Sequence, residues 1–148
     1  MKSVKESLRD ICIDQQTKVI EQLQNEISEA QRQSNEYGQP KDRYDAYKTK
    51  LMRQIELFSG QLNKATVVLN TLRQIPVEKK FEKVEFGAMV ITNRQKLFVS
   101  ASIGKVDFDG DTWFAISPNV PVFKALQGKT QGDTAVFNGM EIEIKSVE

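Results

Sequence analysis

Hydrophobic residues recur every three or four positions through most of the first half of the chain. Between Tyr44 and Leu72 eight such steps cover 28 residues, a mean of 3.5, which is the repeat of a coiled-coil seam rather than of a straight helix. Its members are Tyr44, Tyr47, Leu51, Ile55, Phe58, Leu62, Ala65, Leu69 and Leu72. A looser stripe precedes it and runs through Leu8, Cys12, Gln15, Val19, Leu23, Ile27, Ala30, Ser34 and Tyr37. The pattern predicts two long amphipathic helices.

The segment Tyr37-Gly38-Gln39-Pro40-Lys41 separates these two helices. Glycine favours the end of a helix and proline the first turn of the next one, so the chain is expected to reverse here. At a rise of about 1.5 Å per residue the helices would form an antiparallel hairpin about 45–50 Å long. We therefore predict a coiled-coil hairpin over residues 1–76, with its tip at about residues 37–45.

Residues 77–148 show short apolar runs separated by turn residues, which is typical of β-strands. Strands are predicted at 86–92, 96–103, 112–117, 134–137 and 140–147, with a short helix from Pro121 to Gln127. Asn138-Gly139 is the strongest of the turn signals, because both residues accept a positive φ. The predicted fold class is thus α+β: an N-terminal antiparallel helical hairpin, then a small antiparallel β-sheet domain with one short helix.

The amino-acid composition limits the kinds of functional site that the chain can contain. The chain of 148 residues is 39% hydrophobic, carries a net charge of +1, and contains one Cys and no His. These values argue against a disordered chain, a general polyanion-binding surface, a zinc site and any histidine-based nucleophile. The N-terminus lacks the apolar core of a secretion signal and no apolar run could span a bilayer, so we predict a cytoplasmic protein without a membrane partner.

Residues 114–133 resemble the C-terminal signature of the Gre family of bacterial transcript-cleavage and elongation factors. After an Ile-Ser strand end, the matching positions are Pro121, Ala125, Leu126, Gly128, Lys129, Gly132 and Asp133. The family also has an N-terminal antiparallel coiled coil, so the resemblance covers nearly the whole chain. Ser117-Pro118 and an Asp-basic-Tyr-acidic tip are similar to a shorter-tipped, Gre-like group of the Bacteroidetes type.

This resemblance implies a function. In Gre-type factors an FKBP-like C-terminal domain docks on RNA polymerase at the rim of its secondary channel, and the hairpin reaches toward the catalytic magnesium. Acidic tip residues help to hold a second Mg²⁺ while the polymerase cuts backtracked RNA, an arrangement that clamps the attacking and leaving oxygens. The resemblance therefore implies an accessory factor rather than an enzyme, with no stably bound cofactor beyond a transient Mg²⁺. Its partners would be RNA polymerase, the RNA 3′ end and, indirectly, the DNA-bound elongation complex.

The tip residues implied are Asp42 and Asp45, as accessory catalytic groups and Mg²⁺ ligands. Family tips carry Asp-x-x-Glu followed by Asn, whereas this chain has the shorter Asp45 and then Ala46. The spacing of three would place both carboxylates on one face of a helix. Glu36 would supply a third carboxylate from the other arm of the tip.

Further contacts with polymerase or RNA are expected from Lys41, Arg43 and Tyr44 at the tip and from Ser117, Pro118, Val120 and Val122 in the second domain. Val120 and Val122 are expected to be exposed, and Ser117 and Pro118 could simply end a strand. Lys48 is interpreted as part of a solvated helix flank. Asp42 could equally be the N-cap of the second helix, with Asp45 near its third position.

Three functions remain open from the sequence. The first is a factor that stimulates RNA cleavage by the polymerase. The second is a regulator of the same shape that acts on the polymerase without cleavage. The third is a coiled-coil interaction module unrelated to polymerase.

Overall fold

The fold is α+β, as predicted. A computed structural model describes residues 2–39, Asp42 and residues 45–148. The chain forms two compact units, of which one is Gln16–Leu69 and the other combines the N-terminal segment up to Gln15 with Asn70–Glu148. Both long helices therefore contribute their outer turns to the unit that contains the sheet, whereas the sequence pattern predicts a division between residues 76 and 77. Within the described part of the chain, no helix has both the length and the apolar character needed to cross a bilayer.

The two long helices are α1, Val4–Tyr37, and α2, Ala46–Arg73. Helix α1 ends where the sequence predicts: Gly38 follows it with a φ of +85° and donates its N–H to the Ser34 carbonyl at 3.1 Å. A left-handed residue at this position is the common way to end a helix, and glycine adopts it without steric cost. At the other end, Ser3 Oγ accepts the Glu6 N–H at 3.1 Å and caps α1.

In the hairpin unit, α1 and α2 pack antiparallel along a narrow seam. Its buried residues include Leu23, Ala30 and Ser34 of α1 and Leu51, Ala65 and Leu69 of α2. The α1 stripe passes through Gln16 rather than the predicted Gln15, because the buried Gln16 amide donates to the Ala65 carbonyl at 2.9 Å. Two predicted seam residues, Val19 and Tyr47, are each 46% exposed; a third, Tyr44, lies outside the described residues.

The second unit contains a sheet of six strands. They are β1 Met89–Thr92, β2 Lys96–Val99, β3 Gly104–Phe108, β4 Asp111–Ile116, β5 Thr134–Phe137 and β6 Met140–Val147. Their order is β3-β4-β2-β1-β6-β5, and a short helix α3, Pro121–Leu126, connects β4 to β5. The β5–β6 hairpin turns at Asn138-Gly139, as predicted. Along β6, Ile142 and Ile144 are buried and Glu141 and Glu143 are exposed, whereas Met140, which alternates with the two isoleucines, is 46% exposed.

The sheet is mixed rather than wholly antiparallel, because β2 and β4 pair in parallel. The predicted strand at 96–103 ends at Val99, and a separate strand, β3, begins at Gly104. Strand β3 then folds back on β4 through Asp109-Gly110, whose φ angles are 52° and 81°. This extra hairpin reverses the chain once more, and so β4 lies parallel to β2.

The segment that resembles the Gre signature, residues 114–133, lies beside the core of this unit and has a structural role. Phe123 and Leu126 of α3 are buried in the core cluster. Just after α3, Gly128 N–H donates to the Val84 carbonyl at 2.9 Å, and Val84 N–H donates to the Lys129 carbonyl, also at 2.9 Å. Asp133 closes the next turn by accepting the backbone N–H of Thr130 at 2.8 Å, a bond that lowers the pKa of its carboxyl.

Candidate functional site at the hairpin tip

Asp45 is the residue that starts the second arm of the hairpin. Its Oδ1 accepts the Lys48 N–H at 3.1 Å, and its carbonyl accepts the Thr49 N–H at 3.1 Å. These bonds define an N-cap, in which a side-chain oxygen satisfies an amide that has no partner within the helix. The predicted cap at Asp42 is therefore wrong by three residues. Since α2 begins at Ala46, Asp42 and Asp45 also do not share a helical face.

The second oxygen of Asp45 joins the two arms of the tip. The Tyr37 hydroxyl donates to Asp45 Oδ2 at 2.6 Å. This hydrogen bond is the main cause that raises the pKa of Tyr37 to about 12, since an ionised phenol would lose it and repel the carboxylate. The Tyr37 and Tyr47 rings also pack together, with centroids 4.7 Å apart. Both oxygens of Asp45 thus accept hydrogen bonds within the tip.

Lys48 is a tip residue that the sequence pattern places on a solvated helix flank. Its Nζ donates to the carbonyl of Ser34 at 2.9 Å and to that of Gly38 at 2.7 Å. Helix α1 has no basic residue in its own last turn, so a cation from α2 meets the carbonyl end of the α1 dipole. One signal could have identified it: a lysine in the first turn of α2, opposite a helix end that lacks a cation.

The remaining tip carboxylates lie closer to solvent. Asp42 is exposed, and its carbonyl accepts the Asp45 N–H at 3.3 Å. Glu36 accepts from Arg32 Nη1 at 2.6 Å, and the same guanidinium also pairs with Glu29. These ion pairs run along the surface of α1, where such pairs contribute little to stability. Three other predicted tip residues, Lys41, Arg43 and Tyr44, lie outside the described residues.

The described tip residues do not by themselves form a closed metal site. No group of three His, Cys, Asp or Glu side chains suited to a metal occurs in residues 2–39, Asp42 and 45–148. Mg²⁺ prefers carboxylate, phosphate and water oxygens and can be held by one or two protein carboxylates when the other ligands come from elsewhere. Asp42 and Asp45 therefore suit an ion that also has ligands from another molecule better than an ion that this protein holds alone. In addition, the Asp45 oxygens already accept two hydrogen bonds.

The four residues predicted to dock the second domain form the connection from β4 to α3. Ser117 Oγ accepts the Asn119 N–H at 3.2 Å, and the Ser117 carbonyl accepts the Val120 N–H at 3.3 Å. Pro118 is half-buried. Contrary to expectation, Val120 and Val122 are not exposed: both pack against the core cluster, because α3 is short and the residues around its start help to cover the sheet.

The exposed apolar side chains of the sheet unit lie elsewhere. Val136 on β5 is 70% exposed, Met140 on β6 is 46% exposed and Phe114 on β4 is 37% exposed. Phe98 and Phe123, by contrast, are buried in the core. A periodicity of two places Phe114 on one face of β4, but only the packed sheet shows which face is covered.

Comparison with known proteins gives distant structural matches. No family model matches this chain, and no curated protein matches it. GreA factor homolog 1 (Gfh1) of Thermus thermophilus is 16% identical, with 92% of this chain and 94% of that chain covered and a TM-score of 0.34. A structure of the transcription factor Gfh1 is 17% identical, with coverages of 93% and 94% and a TM-score of 0.35. At such low identities and TM-scores, these matches carry no argument about the function of this chain.

Proposed function

We propose that this protein is a Gre-like accessory factor of bacterial RNA polymerase whose hairpin enters the secondary channel of the enzyme. The observation that carries the proposal is the pair of carboxylates, Asp42 and Asp45, in the connection between two long, antiparallel helices. Two packed helices, each about 10–12 Å across, form a unit narrow enough for a channel that excludes a globular domain. The signature at residues 114–133 supports the same family.

The proposed role of the tip is to present negative charge inside the polymerase active centre. The Asp45 carboxylate accepts hydrogen bonds from the Lys48 N–H of α2 and from the Tyr37 hydroxyl, and Asp42 is exposed at the tip. A second Mg²⁺, when bound in the complex, supplies charge neutralisation for the cleavage of backtracked RNA. The bond-breaking chemistry belongs to the polymerase, so this protein is proposed to be an accessory factor and not an enzyme.

We also propose a role for the sheet unit, further contacts and a cellular location. We include an FKBP-like docking role for the sheet unit, contact with the RNA 3′ end, indirect association with the DNA-bound elongation complex, and a place in the Bacteroidetes-type, Gre-like group. Such a factor acts in the cytoplasm, where bacterial transcription occurs. These parts are supported by the resemblance of the sequence.

A specific observation favours a second candidate, a Gre-shaped regulator that binds the polymerase without stimulating cleavage. Both oxygens of Asp45 already accept hydrogen bonds, and Ala46 stands where the family tip has an amide side chain. Each hydrogen bond occupies one of the about four lone-pair sites of the carboxylate, so fewer sites remain for a metal ion. The two candidates share a binding mode and differ only in what the tip does.

The test combines binding and cleavage. Purified core RNA polymerase is incubated with the wild-type protein, Asp42→Asn, Asp45→Asn and a matched control, Glu21→Gln, which removes an exposed carboxylate from α1 away from the tip. We expect all four to bind alike. Cleavage of a stalled, backtracked complex should be stimulated by the wild-type protein and by Glu21→Gln, and should fall to background with the two tip variants.

The other outcomes separate the candidates. Binding by the wild-type protein without cleavage would favour the regulator. Failure of the wild-type protein to bind the polymerase would overturn the proposal and leave the coiled-coil interaction module. Loss of binding in Asp42→Asn or Asp45→Asn, with Glu21→Gln unaffected, would contradict a tip that acts only in cleavage.

A further inference from the structure

A cavity of about 420 Å³ lies in the sheet unit, beside the start of α1. It is lined by Lys5 and Glu6 of α1, by residues 77–80, by Met89 of β1 and by Glu148, which follows β6. All of these residues belong to one compact unit. The volume falls within the range of pockets that hold small molecules.

Lys5 is the unusual member of this cavity because it is a lysine that is only 3% exposed. It continues the buried stripe of α1 that includes Leu8 and Cys12. Its Nζ donates to the Lys79 carbonyl at 2.7 Å and lies 4.4 Å from the centroid of the Phe81 ring. An ammonium group has three N–H donors, and buried lysines that keep their charge usually have a carboxylate partner.

The charged groups around Lys5 do not compensate for its burial. Desolvation lowers the pKa of Lys5 to about 8, Glu148 acts in the opposite direction, and the Lys79 ammonium lowers it further. The Lys79 Nζ lies 4.8 Å from the centroid of the same Phe81 ring, so two cations share one aromatic side chain. Glu6, Glu78 and Lys80 also line the cavity. Near pH 8 a large fraction of Lys5 is therefore the neutral amine, which is the nucleophilic form.

We propose that Lys5 is a modification site, at which its amine takes an acyl group from a small acyl phosphate bound in this cavity. The Lys5 nitrogen attacks the acyl carbonyl carbon and forms an N–C bond. The bond from that carbon to the bridging oxygen breaks, phosphate leaves with the electron pair, and the surplus proton on nitrogen passes to water. The product is an amide, and no oxidant or reductant is needed.

The size of the cavity and two of its lysines suit this class of donor. The phosphate group of an acyl phosphate is anionic and would pair with Lys79 and Lys80, and the Glu6, Glu78 and Glu148 carboxylates of the same lining oppose them. A short acyl chain would meet the apolar part of the same lining, at Val77 and Met89. Acylation would also remove a buried positive charge from beside Lys79, so the folded protein has a physical reason to tolerate the product.

The test uses acetyl phosphate and an internal control. The folded protein is treated between pH 7 and pH 9, quenched early and cut after glutamate, which leaves Lys2 and Lys5 in one peptide, Met1 to Glu6. Lys2 is the control because its side chain is 62% exposed and its ion pair with Asp10, at 2.8 Å, raises its pKa. Tandem mass spectrometry then gives the two rates separately.

We expect Lys5 to be acetylated several-fold faster than Lys2 at pH 8, and the ratio to fall toward one when the protein is unfolded in guanidinium. A Lys5 rate equal to or below that of Lys2 in the folded protein would overturn the proposal. Circular dichroism before and after treatment establishes that the protein stays folded during the reaction.

A variant tests the phosphate-binding part. Lys80→Met should slow the acetylation of Lys5 by acetyl phosphate several-fold and leave its reaction with acetic anhydride, an uncharged donor, unchanged. Lys64→Met, which removes an exposed lysine of α2, should change neither rate. Equal slowing of both reagents by Lys80→Met, or slowing of neither, would contradict recognition of the phosphate group.

Discussion

The hairpin tip and the cavity beside the start of α1 each contain a lysine that donates to backbone carbonyls, but in different surroundings. Lys48 is half-buried and meets two carbonyls at the end of α1. Lys5 is almost fully buried, meets one carbonyl and lies against Phe81. At the tip the charge keeps contact with water and completes a helix end, whereas in the cavity burial disfavours the charge. The same residue type thus serves structure in one region and is available for chemistry in the other.

The two regions also differ in what stabilises them. The sheet unit has a continuous cluster of buried aliphatic and aromatic side chains on β1, β2, β6 and α3. The tip instead relies on Tyr37, Asp45 and Lys48, which link the two arms through hydrogen bonds. The stabilisation from hydrophobic burial rises with the apolar area that is buried, while one exposed hydrogen bond contributes about 1 kcal/mol to the free energy of unfolding. Substitutions in the sheet unit should therefore have larger effects than substitutions at the tip.

Phe123→Ala should have the largest effect of the substitutions considered. Phe123 is 3% exposed in the core of the sheet unit, and loss of a buried phenyl group costs about 3–5 kcal/mol of unfolding free energy. Denaturation in urea measures the change. Phe114→Ala is the matched control, since Phe114 is 37% exposed and should cost about 1 kcal/mol or less. A smaller loss for Phe123→Ala than for Phe114→Ala would contradict the assignment of the core.

Asp45→Ala should have a smaller effect, confined to the hairpin. Loss of an N-cap side chain costs about 0.5–2 kcal/mol, and the Tyr37 hydroxyl would lose its partner as well. Hydrogen exchange at the amides of Lys48 and its neighbours measures the loss. Asp45→Asn should restore protection, because asparagine is also a good N-cap residue. If Asp45→Asn instead exchanged as fast as Asp45→Ala, the cap would not be the reason for the change.

The pH dependence of the free energy of unfolding should identify the buried charge of Lys5. Lys5 releases its proton at a pKa of about 8 in the folded state and near 10.5 when unfolded. Between these values the unfolded chain binds more protons, so the Lys5 contribution to stability rises with pH. The free energy of unfolding of the wild-type protein, minus that of Lys5→Met, should therefore increase from pH 8 to pH 10.

The control for this measurement is Lys64→Met, which removes a charge from an exposed position of α2 instead of a buried one. Subtraction of the variant also removes the contribution of Tyr37, whose raised pKa makes stability fall with pH between its ordinary value of 10 and about 12. A flat difference between the wild-type protein and Lys5→Met would mean that the Lys5 charge is not disfavoured by folding.

Several features of the tip and the sheet were predictable because they depend on nearby residues. The end of α1 at Gly38 and the turn at Asn138-Gly139 follow from the conformational freedom of glycine and asparagine. The start of α2 was less predictable, since Asp42 and Asp45 are both acceptable caps in isolation. The connection of the two arms through Tyr37 selected Asp45. The parallel pairing of β2 with β4 also escaped prediction, because strand order is a long-range property.

The sequence by itself determined the two long helices, the reversal between them and the α+β class, because helix and strand periodicity are local properties of the chain. Only the tertiary structure decided which polar side chains meet. Gln16 reaches Ala65, Lys48 reaches Ser34 and Lys5 reaches Lys79 across separations of 49, 14 and 74 residues. Packing of apolar neighbours brings such groups together and sets how much water they keep, which in turn determines whether each lysine is a structural cation or a reactive amine.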